Sequence, residues 1–159
     1  MKIINKKFPK QFIKKGKFKL HSGDIVDTFY DVNEMLTDNK LLCDIVEEVL
    51  DMAGGNVVVG IATGGAIIAS QKISWAMIKD GQLKGKVVGE YMLVDDVCTT
   101  ENSINEAIKI IGKKPKAIFV VVDRRKIKTL DTQSLYQIEW KEKFVLLLEQ
   151  EQNMDYLNQ

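Results

Sequence analysis

Residues able to do chemistry gather in four short segments, and the richest lies between positions 91 and 103. Tyr91, Met92, Leu93 and Val94 form an apolar run that stops at two acids, Asp95 and Asp96, before Val97, Cys98, Thr99, Thr100, Glu101, Asn102 and Ser103. Adjacent carboxylates repel each other unless a cation or a hydroxyl-bearing group shares them. Thr99, Thr100 and Ser103 add hydroxyls beside the unpaired backbone N–H groups that open the following helix, where a phosphate dianion is favoured. A sugar phosphate would satisfy both halves. The plain structural alternative is an acidic Asx-turn followed by a Thr/Ser helix cap.

The second segment, Val57-Val58-Val59-Gly60-Ile61-Ala62-Thr63-Gly64-Gly65-Ala66, is an apolar strand running into a glycine pair at a helix start. Without β-carbons the backbone there can approach an anion, and a pyrophosphate suits Thr63, Gly64 and Gly65. A tight turn would use the same glycines for their dihedral freedom alone. The third, Phe18-Lys19-Leu20-His21-Ser22-Gly23 followed by Thr28-Phe29-Tyr30-Asp31-Val32, alternates, turns at Gly23 and resumes, so a hairpin is expected. Phe29 and Tyr30 could line or stack on a flat ring, or serve as two core aromatics. The fourth, Val120-Val121-Val122-Asp123-Arg124-Arg125, sets charges directly after a buried strand. A guanidinium offers paired hydrogen bonds to a carboxylate, so Arg124 is the candidate for recognising an acidic ligand, with Arg125 and Lys126 as solvated neighbours.

VDDVCTTENS resembles the VDDVxTTGxS signature of type I phosphoribosyltransferases, and the four segments, within roughly residues 16 to 128, follow that family's order. The hairpin and the Asp123-Arg124 pair are similar to the FxLxSG and LDR segments of orotate phosphoribosyltransferases. The resemblance implies an α/β fold, a doubly wound, mainly parallel sheet with an N-terminal helix/hairpin hood. It implies transfer of a phosphoribosyl group from phosphoribosyl pyrophosphate to a pyrimidine, most directly orotate, giving orotidine 5'-monophosphate and diphosphate with Mg2+ as cofactor. In that scheme Asp95 and Asp96 hold the ribose hydroxyls and, directly or through water, the metal. Val97, Cys98, Thr99, Thr100, Glu101, Asn102 and Ser103 form the loop around the 5-phosphate, and Thr63, Gly64 and Gly65 take the diphosphate. Phe29 and Tyr30 cover the base, whose carboxylate meets Arg124.

This chain also departs from the family. Glu101 stands where the loop usually has Gly, and a carboxylate there should weaken phosphate binding unless it points outward. His21 stands where orotate enzymes often have Lys. Their mobile catalytic loop, with several basic residues and a His, is short here, leaving Lys79, Lys84 and Lys86 among Gly81, Gly85 and Gly89. Diphosphate leaves as the ribosyl carbon gains oxocarbenium character, so Lys84 and Lys86 are the candidates to neutralise it, from this chain or from a second subunit. The family often works as homodimers. A non-catalytic or regulatory relative that binds phosphoribosyl pyrophosphate or a nucleotide stays open. So does a transferase for another base, against which Arg124 argues.

The elements behind these segments follow from pattern. The 159 residues, 45% hydrophobic and 28% charged, fit one domain with a real core: a hood at 1–33, a core at 34–128 and a less defined part at 129–159. No apolar run reaches the roughly 18 residues of a membrane span, and no signal-like stretch follows the first lysines, so a soluble cytoplasmic protein is expected. Cys43 and Cys98 fit neither a disulfide framework nor a zinc site and are expected to pack as small hydrophobes. Residues 1 to 23 hold eight lysines and no acid, leaving 15 basic against 22 acidic residues elsewhere. With Phe8, Phe12 and Phe18 among the lysines, an amphipathic helix with a solvated face is favoured over a nucleic-acid surface, because arginine is absent there.

Thr37 or Asp38 can cap a helix whose apolar positions, Leu41, Leu42, Ile45, Val46, Val49, Leu50 and Met52, end at Gly54-Gly55. Ala66 to Met77 reads as a helix, 79–89 as a flexible loop with a short strand at its end, 102–111 as a helix and 116–122 as a strand. Strands at 135–140 and 144–148 and a polar end at 149–159 complete the reading. Strands alternating with helices call for a parallel sheet covered on both faces.

Overall fold

Cross-strand pairing, not helix formation, organises the lysine-rich N-terminal segment. In the computed structural model, which describes residues 7–20, 23–72 and 74–139, a single 3-10 turn at Lys10–Phe12 leads into β1 (Ile13–Lys19), which pairs antiparallel with β2 (Ile25–Tyr30). The expected hairpin is present; among the described residues of this segment the expected amphipathic helix is not. Phe8 and Phe12, just before β1, turn into the core while the β1 lysines stay exposed, so the apolar and basic residues separate along the chain rather than on two faces of a helix. Phe8 meets the rings of Tyr30 and Tyr136 edge to face at 5.2 and 5.1 Å, fastening the hood to the rest of the molecule.

After a short helix α1 (Val32–Met35) comes α2 (Asn39–Ala53). Asp38, not Thr37, caps α2, its Oδ1 accepting from the N–H groups of Lys40 and Leu41 at 3.0 and 3.1 Å. Gly54 ends it in the left-handed conformation (φ 52°), which glycine adopts without a β-carbon penalty. Ile45, Val49 and Ala53 form its buried stripe, and burying an Ile or Val of this kind contributes on the order of 1.5–3 kcal/mol.

The main sheet follows with β3 (Val57–Ile61), α3 (Gly64–Ala69), β4 (Trp75–Lys79), β5 (Gln82–Lys84), β6 (Tyr91–Cys98), α4 (Asn102–Ile111), β7 (Ala117–Asp123) and β8 (Gln133–Gln137). Its order is β5-β4-β3-β6-β7-β8, parallel throughout except for β4 against β5. Alternate residues of the central strands supply two separate cores. Val58, Met92, Val94, Phe119 and Val121 pack with α2, α3 and the hood, whereas Val57, Val59, Tyr91, Leu93, Ile118 and Val120 pack against α4. This is the doubly wound α/β arrangement expected from the sequence.

Other expectations need correction. The run from Ala66 to Met77 is not one helix: α3 stops at Ala69, Ser70 Oγ donates to Ile67 O at 2.7 Å, and Trp75 begins β4. In so short an apolar window helix and strand periods are hard to tell apart. The strand expected near the end of 79–89 lies instead at 82–84, folded back on β4 through Asp80-Gly81. Cys98 is buried as expected, but Cys43 is exposed on α2. His21, Ser22, Trp140 and the strand expected at 144–148 lie outside the described residues.

Candidate functional site

The chain leaves β3 for the outer strands β4 and β5, then returns to β6 on the other side of β3. Loops that depart in opposite directions open a crevice at the carboxyl ends of the strands, where ligands of open α/β sheets bind. Thr63 follows β3 at that edge. Gly60, Gly64 and Gly65 let α3 lie directly on the sheet. A β-carbon on Gly60 would stand 2.2 Å from Gly65 O, one on Gly65 2.3 Å from Val94 O, and one on Gly64 2.5 Å from Asp96 Cβ. Close packing is thus enough to require all three, and it brings the Thr63 turn against Asp96.

The two adjacent acids part company because successive strand residues point to opposite faces. Asp95, on the α4 side, is buried, its Oδ1 accepting from Asp96 N–H at 2.9 Å and its Oδ2 from Ser103 Oγ at 3.1 Å. Burial, with the neighbouring Asp96 charge, pushes its pKa well above the usual carboxylate range. Asp96 faces the other way, is only partly buried, and accepts from Val97 N–H at 2.8 Å through Oδ1. The strand itself continues past both acids to Cys98. The Cys98 thiol, pushed up to about 12 mainly by burial, donates to Thr100 O at 3.0 Å and is not poised as a nucleophile.

Asp96 opens onto a cavity of about 490 Å³ lined by Lys19, Leu20, Phe29, Tyr30, Val32, Asn33, Ala62, Thr63, Asp96, Val97, Thr99 and Arg124. Three of the four segments meet at its wall through Thr63, through Asp96, Val97 and Thr99, and through Arg124, and the hairpin closes it with Phe29 and Tyr30. Arg124 is buried, with its guanidinium carbon 4.8 Å from the Tyr30 ring centre and a hydrogen bond to Thr28 O at 3.4 Å. Burial lowers its pKa, while Tyr30 and Asp27 act in the opposite sense. The chamber wall therefore combines aromatic and cationic groups with a carboxylate and hydroxyls.

Several candidate residues stand outside this wall. Asp95, Cys98, Gly64 and Gly65 support it from behind, and Thr100, Asn102 and Ser103 sit in or just after the turn that opens α4. Lys84 and Lys86 are more distant. Lys84 pairs with Met77 midway along β4, its ammonium donating to Gln82 Oε1 at 2.5 Å, and β5 carries the chain away from the ligand edge toward Lys86. Lys79, at the end of β4, is the lysine nearest that edge of the hairpin.

Sequence reasoning missed what lies beside the cavity. Arg125, expected in solvent, is buried and donates from Nε to Asp123 Oδ1 at 2.9 Å, from Nη2 to Asp123 Oδ2 at 2.9 Å and from Nη1 to Glu101 Oε1 at 2.5 Å. Glu101 turns away from the chamber. Its Oε1 also accepts from the N–H groups of Thr129 and Leu130 at 2.8 and 2.9 Å, and its Oε2 from the Thr129 hydroxyl. Burial would raise the carboxyl, but the hydrogen bonds from Thr129, Leu130 and Arg125 outweigh it and hold the pKa down to about 2. Strand alternation was the available clue, since 123 and 125 share a side opposite Arg124. Lys19 and Asn33 are further lining residues that no motif announced.

No protein-family model matches the chain. It is 33% identical over 130 residues to an orotate phosphoribosyltransferase of Sulfurisphaera tokodaii, a match covering 69% of this chain and 66% of that one. A second orotate phosphoribosyltransferase, from Thermoplasma volcanium, is 31% identical over 129 residues, covering 70% and 78%. The transcriptional regulator GfcR of Methanococcus maripaludis is 27% identical over 148 residues, covering 76% and 72%. Among solved structures, orotate phosphoribosyltransferase from Aeropyrum pernix superposes with a TM-score of 0.64 at 25% identity, over 88% of this chain and 93% of that one.

Proposed function

The chain belongs to the type I phosphoribosyltransferase family, and from that premise we propose that it transfers a phosphoribosyl group from phosphoribosyl pyrophosphate to orotate. One observation carries this reading: Phe29, Tyr30 and Arg124 share a single cavity with Asp96, Thr99 and Thr63. A planar, acidic base fits against Tyr30 with its carboxylate on Arg124, and a ribose phosphate then reaches Asp96 and the turn after β6. Its relatives named orotate phosphoribosyltransferase support the choice of base. A cytoplasmic location and assembly as a homodimer belong to the same reading.

In the reaction the base nitrogen gives up its proton to water or to the departing diphosphate and forms a bond to the ribosyl carbon as the bond to diphosphate breaks. Asp96 accepts hydrogen bonds from the ribose hydroxyls and fixes the sugar, while Thr63 and Thr99 orient the two phosphate groups on either side. Arg124 and Tyr30 hold the base at the angle of attack, so the chain's main contribution is orientation. No group of three or more acids, cysteines or histidines able to hold a metal occurs among the described residues. Magnesium suits the site only as an ion carried in by the diphosphate, because it keeps waters and accepts one or two protein carboxylates. Asp96, which lines the cavity, is suited to that role; Asp95, buried and outside the lining, is not. Such an ion would neutralise the leaving diphosphate.

A second reading has its own support. Lys84 and Lys86 do not line the cavity, the β4–β5 hairpin is short, and one relative is named a transcriptional regulator. On that reading the chain binds phosphoribosyl pyrophosphate or a nucleotide as a signal. Incubation with orotate, phosphoribosyl pyrophosphate and Mg2+ separates the two. Orotate consumption with diphosphate release supports transfer; phosphoribosyl pyrophosphate binding without turnover overturns it in favour of the sensor.

A further inference from the structure

Glu101 occupies a turn position with φ −88° and ψ 11°, the negative-φ region of type I turns, so no left-handed backbone calls for a glycine here. The turn it closes is fastened at both ends to the segment after β7. At its start, Arg124 N–H donates to Cys98 O at 2.8 Å. At its end, Glu101 takes the Arg125 guanidinium and the N–H groups of Thr129 and Leu130. Thr99, which lines the cavity, lies between the two fastenings, and Arg124, which also lines the cavity, is bonded to one and adjacent in sequence to the other.

We infer that Glu101 is a positioning residue, a strut that fixes the phosphate-side turn and the base-side Arg124 as one unit. The inference rests on the cavity being the ligand site, but not on catalysis. Buried Arg125 pairs with both Asp123 and Glu101 while Lys128 also pairs with Asp123, so two cations meet two carboxylates and the Glu101 charge is neutralised on the side away from the chamber. A ligand bridging the chamber then meets both of its contacts already in register and loses less freedom on binding.

Glu101→Gly, Glu101→Ala and Glu101→Gln separate a strut from a repelling charge. Gln keeps an oxygen in the Oε1 position for Thr129, Leu130 and Arg125, whereas Gly and Ala keep none. Binding is read by calorimetry with ribose 5-phosphate and with orotidine 5'-monophosphate, and folding of each variant by thermal unfolding. Gly and Ala should weaken both ligands about tenfold, equivalent to about 1.4 kcal/mol, while Gln stays within about threefold. If all three variants tighten ribose 5-phosphate, the carboxylate acts by repulsion and the strut is overturned.

Amide hydrogen exchange on the ligand-free protein gives a second reading that does not depend on what the cavity binds. In Glu101→Gly, protection should fall together at Arg124, Thr129 and Leu130, and Glu101→Gln should restore it. Unchanged protection at Arg124 in a folded Gly variant would also overturn the strut. Failure of wild type to bind either ligand would count against the functional reading, with exchange still deciding the strut.

Discussion

Of the connections that leave the carboxyl edge of the sheet, two differ in how they are held. The turn from β6 into α4 is clamped by Cys98 O, Glu101 and a buried guanidinium. The β4–β5 hairpin turns at Asp80-Gly81 and leads Lys84 and Lys86 away from the cavity. On the proposed function, the difference teaches that the sugar-phosphate and base contacts are preorganised, whereas Lys84 and Lys86, the cations expected to meet a leaving diphosphate, are not among the described residues that line the cavity. Preorganised contacts serve binding and catalysis alike, while charge delivered to a leaving group serves only catalysis.

The largest expected effect tests the preorganised side. Asp96→Asn should lower turnover at least about a hundredfold, since the anionic acceptor for the ribose and the ion that accompanies diphosphate is lost. Asp95→Asn should stay within about fivefold, because an amide oxygen can still accept from Asp96 N–H or Ser103 and the displaced carboxylate lies outside the cavity. Equal losses would show that the two acids act as a pair. Arg125→Met should be the most damaging for folding, at about 3–5 kcal/mol by denaturant titration, because it leaves Glu101 without a cation and buried Asp123 with Lys128 alone.

Acid should loosen the same clamp with a definite sign. The Glu101 carboxyl falls from an ordinary 4.5 to about 2 on folding, so its contribution to stability is complete above the higher value and is lost as pH drops toward the lower. Glu101→Gln should flatten the acid-unfolding profile between those pH values; a profile parallel to wild type would mean the carboxyl is not held down. The smallest effect is expected on the hairpin. Lys84→Ala and Lys86→Ala should each change turnover by no more than about twofold, as befits exposed lysines outside the cavity. A tenfold loss would instead point to lysines supplied across a dimer.

How far the sequence could be read follows the same divide. The central strands, α2, α4 and the hairpin were legible because continuous apolar runs, alternation in the hairpin, an Asp cap and terminal glycines each leave a local mark. Phe29, Tyr30, Thr63, Asp96, Thr99 and Arg124 could be nominated individually, and the fold then gathers them around one cavity. Three things were not legible. The helix expected at 66–77 hid β4, since a five-residue strand in an apolar run has too few turns of either period to decide. The division of labour between Asp95 and Asp96 depends on which face of β6 each occupies. The Glu101–Arg125 pairing joins residues 24 apart in sequence, and only the packing of β6 beside β7 brings them within 2.5 Å.

The most direct test is calorimetric titration of wild type and Arg124→Met with orotidine 5'-monophosphate and, separately, with ribose 5-phosphate. One chamber with a base end and a phosphate end predicts that the substitution weakens the nucleotide about tenfold or more while leaving ribose 5-phosphate within about twofold. Equal weakening of both ligands, or none of either, would contradict it.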